Sequence, residues 1–315
     1  MSTPLLFLGG SARSGSTLLE RMLAGIPGSC SVGELAFFWD RCVIRNDRCG
    51  CGARFHDCPF WQQVGKAAFG GWDQIDAAHA AQLHATLDRH RNLDRLSGLR
   101  SPGHLSATLD SYLGITDQLY AAIRDVSGAS VIIDSSKQVG YALLLRDLPS
   151  VDLRLLHLVR RSHGVAYSWS KRVRATAVGD GTGLMSRHSP LWAVSLWMAD
   201  NLLYDAIARQ VPRATRVRYE DIVIDPRAAL VRIAGDLDLP AADLSYLGDG
   251  VAELTTSHAL SGNPMRFQQG RVVLRADEEW RSRMSRPRQA AISAATWPLL
   301  MRYGYWSASA PKQHP

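Results

Sequence analysis

Glycines, hydroxyl side chains and one cation occupy a short segment near the start of the chain, residues 9–17, which reads GGSARSGST. The backbone N–H groups of such a turn and its hydroxyls can donate hydrogen bonds to an anion, and Arg13 adds a positive charge. The Gly-Lys-Ser/Thr ending of nucleoside-triphosphate loops is absent, so metal-centred chemistry on a γ-phosphate is not indicated. The segment predicts a site for the anionic group of a nucleotide, and the alternative is a strand-to-helix turn with a capping serine.

Two further cations follow apolar runs later in the chain. Lys137 comes after residues 131–134 in an Asp-Ser-Ser-Lys sequence, and Arg160 comes after residues 153–159. Ligands of α/β folds bind at the carboxyl ends of parallel strands, so Lys137 is predicted to be an anion partner rather than a surface lysine. Ser168 follows Arg160 by two helical turns, and the two side chains can converge on a further phosphate.

A carboxylate, Glu34, stands at the end of the second strand-and-turn unit in the sequence Val-Gly-Glu. Near the strand ends it could serve as a general base. The alternative is a glutamate in the first turn of a helix, which interacts favourably with the helix dipole. Its position alone leaves both interpretations open.

Four cysteines fall within one short stretch: Cys42, Cys49, Cys51 and Cys58. The Cys-x-Cys spacing is one residue tighter than the usual zinc knuckle, and no second paired knuckle follows. We therefore expect reduced thiols or one local disulfide rather than a metal site. The chain has five cysteines, and an odd number fits a reducing compartment better than a complete disulfide framework.

Strands and helices, which must position these residues, are predicted to alternate along the chain. Predicted strands at residues 5–8, 131–133, 153–159 and 215–219 each precede helical patterning. At least four such repeats predict an α/β fold with a central parallel sheet and helices on both faces. Residues 73–127 are predicted to be a helical insertion that covers one side of the sheet and shapes an acceptor pocket.

Two segments interrupt this regular pattern. Residues 175–185 are rich in glycine and are predicted to form a loop near the site. Residues 257–271 are polar and basic without a period, and a loop of this length is usually either disordered or functional. Arg266 and Arg271, beside Gly270, favour a functional loop.

Composition narrows the classes of function. The chain has 315 residues, 46% of them hydrophobic, which suits one large domain, predicted over residues 1–306, with a flexible tail at 307–315. The formal charge of +7 indicates an anionic ligand, but no basic block is long enough for a nucleic-acid-binding arm. No apolar run could cross a bilayer and the first residues lack signal-peptide features, so we expect a cytoplasmic protein without membrane insertion.

Three of these elements together resemble the nucleotide-binding elements of sulfotransferases that use 3′-phosphoadenosine 5′-phosphosulfate (PAPS). They are the RSGSTLL loop from Arg13, the eight-residue spacing from Arg160 to Ser168, and the basic loop around Gly270. The resemblance implies a P-loop-like fold, PAPS as donor and 3′-phosphoadenosine 5′-phosphate (PAP) as product, with no metal required. It implies the following donor-binding residues: Arg13, Ser14, Gly15, Ser16, Thr17, Leu18, Arg160, Ser168, Tyr219, Arg266, Gly270 and Arg271.

The resemblance also implies where parts of the donor bind. The 5′-phosphosulfate would lie at residues 13–17, and Arg160 with Ser168 would bind the 3′-phosphate. The loop at residues 266–271 would close on that phosphate. Tyr219 is similar to a tyrosine that lies by the adenine in tyrosylprotein sulfotransferases.

Catalytic roles are implied for three residues: Arg13, Lys137 and Glu34. Lys137 looks like the lysine that stabilises charge at the transferred sulfate, and Glu34 is similar to the base of tyrosylprotein and heparan-type enzymes. Phenol-type members use a histidine in a Lys-x-His segment, which this chain lacks, so His104 and His258 are reserve candidates. The chain departs from the eukaryotic pattern in its cysteine segment and in having Arg13 where many members have lysine.

The implied reaction is in-line transfer of a sulfuryl group to a hydroxyl of a small-molecule or carbohydrate acceptor, such as a glycoconjugate. Two other classes of function compete with this interpretation. One is a kinase-like phosphotransferase with an aberrant loop, which needs a magnesium carboxylate, for which Asp134 is the candidate. The other is a non-catalytic nucleotide-binding protein.

Overall fold

The computed structural model describes residues 2–171, 174–175, 183–184, 188–240 and 243–305. In chain order, the strands are β1 (Thr3–Gly9), β2 (Ser29–Gly33), β3 (Val131–Asp134), β4 (Val151–Val159), β5 (Arg174–Ala175), β6 (Gly183–Leu184), β7 (Arg213–Arg218), β8 (Leu247–Gly248), β9 (Val251–Leu254) and β10 (Gly270–Val273). The α-helices are α1 (Ser16–Leu23), α2 (Pro59–Phe69), α3 (Ala77–Leu87), α4 (Leu93–Leu96), α5 (Ser106–Ser127), α6 (Val139–Arg146), α7 (Ser162–Ser170), α8 (Pro190–Ile207), α9 (Tyr219–Ile224), α10 (Pro226–Asp236), α11 (Glu279–Arg283) and α12 (Arg286–Arg302).

Five of the strands form one parallel sheet in the order β2-β3-β1-β4-β7. β1 lies at its centre, with Leu5 opposite Ile132 of β3 on one side and Leu153 of β4 on the other. A parallel sheet that is covered on both faces needs strands that are apolar throughout, which explains the unbroken apolar run in β1. The sheet confirms the predicted α/β, P-loop-like fold.

Alternate side chains of β1 pack into two different helical layers. Leu5 and Phe7 join a core that includes Tyr120 of α5, in the insertion between β2 and β3. Leu6 and Leu8 join a second core, which is shared with α1, α9 and α10. Because successive residues of a strand point to opposite faces of the sheet, helices cover both faces, as predicted.

The predicted helical insertion is present, whereas the predicted irregular loop at residues 257–271 is partly regular. α3, α4 and α5 form most of the predicted helical insertion at residues 73–127. Residues 257–271 contain more regular structure than predicted, because Pro264–Phe267 is a 3-10 helix and β10 pairs antiparallel with β9. The predicted loop at 175–185 lies mostly outside the described residues, and so does the predicted tail at 307–315.

Shorter helical turns complete the insertion and the connections. A π-helical segment occupies Phe38–Ile44, and 3-10 helices occupy Leu35–Phe37, Phe55–Asp57, His90–Asn92 and Gly103–Leu105. Among the described helices, none combines the length and the apolar character that a bilayer span requires.

Candidate active site

A cavity of about 890 Å³ lies at the carboxyl ends of the five parallel strands. Each strand supplies part of its wall through the residues that follow it, because parallel strands end at the same edge of the sheet. The wall includes most of the predicted site residues: Arg13, Gly15, Ser16, Thr17, Leu18, Glu34, Lys137, Arg160, Ser168 and Tyr219.

The loop after β1 reaches the cavity through a turn that requires glycine. Gly15 precedes α1 with φ 92°, and a Cβ at this position would lie 2.5 Å from Cδ2 of Tyr219. The loop and the Tyr219 ring are therefore in close contact, and α1 begins at the cavity wall with Ser16. Ser14, also predicted as a donor ligand, is buried and its side chain is not part of the wall.

Two cations on the wall have left-handed backbone conformations, Arg13 with φ 70° and Lys137 with φ 62°. The Arg13 guanidinium lies 4.9 Å from the centroid of the Trp169 ring, within range of a cation–π interaction. Burial lowers the pKa of Arg13, while the negative charge of Glu34 raises it. An arginine side chain keeps its charge in proteins, so it presents a fixed positive charge to the cavity.

Glu34 and Lys137 form an ion pair at the cavity wall. The Lys137 ammonium donates hydrogen bonds to Oε1 of Glu34 and, over 2.8 Å, to the carbonyl of Ser135. The backbone N–H of Glu34 donates to the carbonyl of Leu260 over 2.9 Å. These contacts fix the carboxylate and the ammonium beside each other, so the structure brings together the predicted base and the predicted cation.

Arg160 is held at the wall by contacts around its guanidinium. It donates hydrogen bonds to the carbonyls of Arg13 (3.1 Å) and Asp277 (3.0 Å), and its Nη2 lies 3.2 Å from Oδ2 of Asp277. The guanidinium also lies 4.6 Å from the centroid of the Tyr219 ring. Arg160 is therefore oriented in advance next to the loop after β1, on the wall that Ser168 also lines.

Three acidic residues of the wall were not predicted from the sequence: Asp47, Asp200 and Asp277. Asp277 lies 3.1 Å from Lys171. Burial alone raises the pKa of Asp277, but the hydrogen bond from Lys171 and the charge of Arg160 lower it overall. Asp200 comes from α8, and burial raises its pKa to about 6. None of the three follows a predicted strand, and the position after a strand is the signal that identified Glu34, Lys137 and Arg160.

A buried carboxyl group, Glu20, supports the wall from behind. It accepts hydrogen bonds from the hydroxyls of Ser135, over 2.7 Å, and Ser31. Burial raises the pKa of Glu20 above its ordinary value. Because Ser135 also supplies the carbonyl that holds Lys137, this network positions the segment after β3.

The basic loop contributes to the wall through residues other than those predicted. Arg266 is buried, and its guanidinium donates to the carbonyls of Gly262 (3.1 Å) and Arg48 (3.2 Å) instead of facing the cavity. Gly270 and Arg271 are exposed on β10 and are not part of the wall. Neighbouring residues of the loop line the cavity: Gly262, Asn263, Pro264, Met265 and Gln268.

The two reserve histidines lie away from the cavity. His104 is exposed on the 3-10 helix Gly103–Leu105. His258 lies among cysteines, with Nδ1 3.3 Å from Sγ of Cys58 and 3.6 Å from Sγ of Cys49. Of the three candidate bases, Glu34 is the one on the wall.

Asp134, the candidate magnesium carboxylate, is buried behind the wall. Its Oδ1 accepts a hydrogen bond from the N–H of Ser136 (2.7 Å), and its Oδ2 accepts one from the hydroxyl of Tyr120 (2.6 Å). Burial raises the pKa of Asp134 to about 7. Both oxygens accept hydrogen bonds from within the protein, so this carboxyl group does not face a ligand in the cavity.

Comparison with known proteins gives a family match and several structural matches. A family model described as "Sulfotransferase family" matches residues 4–243, which is more than half of the chain. No curated protein matches the sequence.

Two solved structures share the fold across nearly the whole chain. The chain is similar to the sulfotransferase domain of the Synechococcus PCC 7002 olefin synthase, with 23% identity, a TM-score of 0.53, and coverage of 98% of this chain and 97% of that one. It is also similar to the sulfotransferase domain of the curacin biosynthetic pathway, with 18% identity, a TM-score of 0.50, and coverage of 93% and 97%. At these identities the two likenesses establish the fold.

Proposed function

Because this chain belongs to the sulfotransferase family, we propose that it transfers a sulfuryl group from PAPS to a hydroxyl of a small-molecule or carbohydrate acceptor. The observation that supports this proposal is the convergence of Arg13, Lys137, Arg160 and Glu34 on one cavity. Three cations suit a donor with several anionic groups. The carboxylate suits an acceptor hydroxyl that must lose a proton.

The donor is proposed to bind with its 5′-phosphosulfate at residues 13–17, where Arg13 and the start of α1 favour negative charge. Arg160 and Ser168 bind the 3′-phosphate in this proposal. The guanidinium of Arg160 is already oriented by Tyr219 and by the carbonyl of Arg13, which reduces the side-chain entropy lost on binding. The phosphate competes with the Asp277 carboxylate for the same cation.

In the proposed transfer step, the acceptor oxygen forms a bond to sulfur while the bond from sulfur to the bridging oxygen of the phosphosulfate breaks. Glu34 accepts the proton of the acceptor hydroxyl. Lys137 and Arg13 stabilise the negative charge that develops on the leaving phosphate. The ion pair keeps Lys137 next to the base, so both functions act at the same side of the cavity.

Calorimetric titration with PAP, and with ADP for comparison, tests the donor assignment. We expect PAP to bind more tightly than ADP to the wild type, and its affinity to fall at least about tenfold in Arg160→Ala, because a charged hydrogen bond contributes about 1.5–3 kcal/mol. Arg232→Ala is the matched control, since Arg232 lies on α10 and pairs with Asp236 at 3.1 Å. Its PAP affinity should equal that of the wild type.

Other outcomes identify the competing functions. A preference for ADP over PAP would contradict the proposal and favour a phosphotransferase. Tight PAP binding that Arg160→Ala leaves unchanged would remove Arg160 from the 3′-phosphate site. PAP binding with no transfer from radiolabelled PAPS to a panel of phenols, alkanols and glycosides would favour a non-catalytic nucleotide-binding protein.

A further inference from the structure

A second group of chemically reactive side chains lies outside the cavity: Cys49, Cys51, Cys58 and His258. Sγ of Cys58 lies 3.7 Å from Sγ of Cys49 and 3.7 Å from Sγ of Cys51. Nδ1 of His258 lies 3.3 Å from Sγ of Cys58 and 3.6 Å from Sγ of Cys49. All four ligand atoms lie within 4.8 Å of one another, so they form one compact cluster.

From this geometry we propose that Cys49, Cys51, Cys58 and His258 bind a structural zinc ion. Zinc in a tetrahedral site, about 2.3 Å from sulfur and about 2.0 Å from nitrogen, sets its ligand atoms about 3.5–3.8 Å apart. Four of the six separations, from 3.3 to 3.7 Å, agree with that spacing, and the other two are no longer than 4.8 Å. A disulfide needs its sulfur atoms about 2.05 Å apart, and these cysteines are free thiols.

The ligand types favour zinc and a structural role. Three thiolates and one imidazole are a soft set that suits zinc, and four protein ligands complete a tetrahedron without a position for substrate. Cys49 and Cys58 are buried, while Cys51 and His258 are partly buried, so the site is closed yet reachable by an ion. The cysteine spacing alone did not indicate zinc, since no second paired knuckle follows. The fourth ligand, His258, is remote in sequence and only the fold brings it near.

The surroundings hold the ligands in place without the metal. The His258 ring stacks on Phe60, with centroids 4.8 Å apart and an interplanar angle of 16°. The Trp61 indole N–H donates to the His258 carbonyl over 2.9 Å, and the N–H of Gly50 donates to the Ala259 carbonyl over 2.9 Å. A Cβ on Gly50 would lie 2.7 Å from the carbonyl oxygen of Ser257, so this close approach requires glycine.

The zinc site would crosslink the cysteine segment to the wall of the cavity. Leu260, two residues after His258, donates its N–H to the Val32 carbonyl and accepts from the N–H of Glu34, both over 2.9 Å. A Cβ on Gly262 would lie 3.1 Å from Oε1 of Glu34. A metal bound at His258 therefore stabilises the backbone that positions Glu34, which is a base only under the proposed function.

Metal analysis of the full chain tests the proposal without reference to activity. Protein expressed with zinc should contain equimolar zinc after purification. In Cys51→Ser the zinc content should fall at least about tenfold, because one of four ligands is lost. Cys30→Ser is the control, since Cys30 is a partly buried cysteine of β2 outside the cluster, and it should keep its zinc.

Cobalt substitution provides a readout that does not depend on the stability of a variant. Wild-type protein titrated with Co²⁺ should develop the thiolate charge-transfer and visible absorption of a tetrahedral site, and Zn²⁺ should displace it. A wild type that stays free of zinc and gives no tetrahedral cobalt spectrum overturns the proposal. So does a disulfide among Cys49, Cys51 and Cys58 in protein purified under reducing conditions. Loss of PAP binding in the earlier titration would leave these metal measurements unaffected, so the two proposals fail separately.

Discussion

The ion pair between Glu34 and Lys137 places a carboxylate and an ammonium on the same wall, with no change of backbone needed to bring them together. Under the proposed function, the carboxylate acts on the acceptor and the ammonium on the departing group. A substitution that keeps the shape of Glu34 but removes its basicity should therefore separate donor binding from transfer.

We expect Glu34→Gln to bind PAP like the wild type and to transfer at least about 10²-fold more slowly, because a general base contributes roughly 10²–10⁴-fold. Transfer from radiolabelled PAPS measures the rate, and calorimetry measures PAP binding. Glu253→Gln, an exposed glutamate on β9, is the matched control. Full transfer activity in Glu34→Gln would assign Glu34 to the structural role of a helix-start carboxylate.

At the scale of secondary-structure elements, the sequence predicted which strand ends carry the functional residues. It did not predict the tertiary contacts that hold those residues in place. Glu34, Lys137 and Arg160 were each predicted at the end of a strand, and the parallel sheet brings those strand ends to one edge. Asp277 was missed because it joins Arg160 through the tertiary fold. Arg266 was expected at the cavity because it is basic and lies in an irregular segment, yet backbone carbonyls hold its guanidinium inside the protein.

The close approach of the loop after β1 to Tyr219 can be tested by adding one methyl group. Gly15→Ala should destabilise the protein by about 1–3 kcal/mol and weaken PAP binding, since φ is 92° and the new Cβ would meet the Tyr219 ring. The matched control is Gly114→Ala in α5, where nothing lies within 4 Å of an added Cβ. That variant should be about 0.5–1 kcal/mol more stable. Chemical denaturation measures both, and an unchanged Gly15→Ala would contradict the tight contact.

At the scale of the whole molecule, Asp205 and its neighbours tie the sheet to the C-terminal helix. Asp205 of α8 pairs with Arg216 of β7 at 2.9 Å and accepts from Tyr303 over 3.0 Å, directly after α12. His157 of β4 lies in this network, with Nε2 donating to Oδ1 of Asn201 over 2.9 Å. His157 is therefore a core residue, and its partners come from elements that local periodicity does not connect.

Acid should weaken the fold partly through His157, because burial lowers its pKa to about 4. Between about pH 4 and its ordinary pKa of about 6.5, the unfolded chain binds more protons, so this contribution to stability is complete above about pH 6.5 and is lost as the pH falls. Asp134, whose pKa burial raises to about 7, acts in the opposite direction, since its protonation in the folded state stabilises the fold as the pH falls. The wild-type curve alone therefore does not isolate the histidine.

The difference in pH-dependent stability between the wild type and His157→Gln isolates the contribution of His157, since glutamine keeps an N–H donor for Asn201. From pH 7 to pH 5, the wild type should lose about 2 kcal/mol more stability than the variant. Denaturant titrations at both pH values measure the two free energies of unfolding. Parallel pH dependence in the two proteins would show that His157 does not titrate as its burial implies.

Trp169 lies on the wall of the cavity and within 4.9 Å of the Arg13 guanidinium. Indole emission changes when a charged or aromatic molecule arrives beside the ring. The other tryptophans in the described part of the chain are not part of the wall, so a bound molecule should change their emission less. Trp169 fluorescence can therefore report binding, so libraries of unlabelled acceptors can be screened without a label. The variant Trp169→Phe identifies fluorescence changes that arise from other tryptophans.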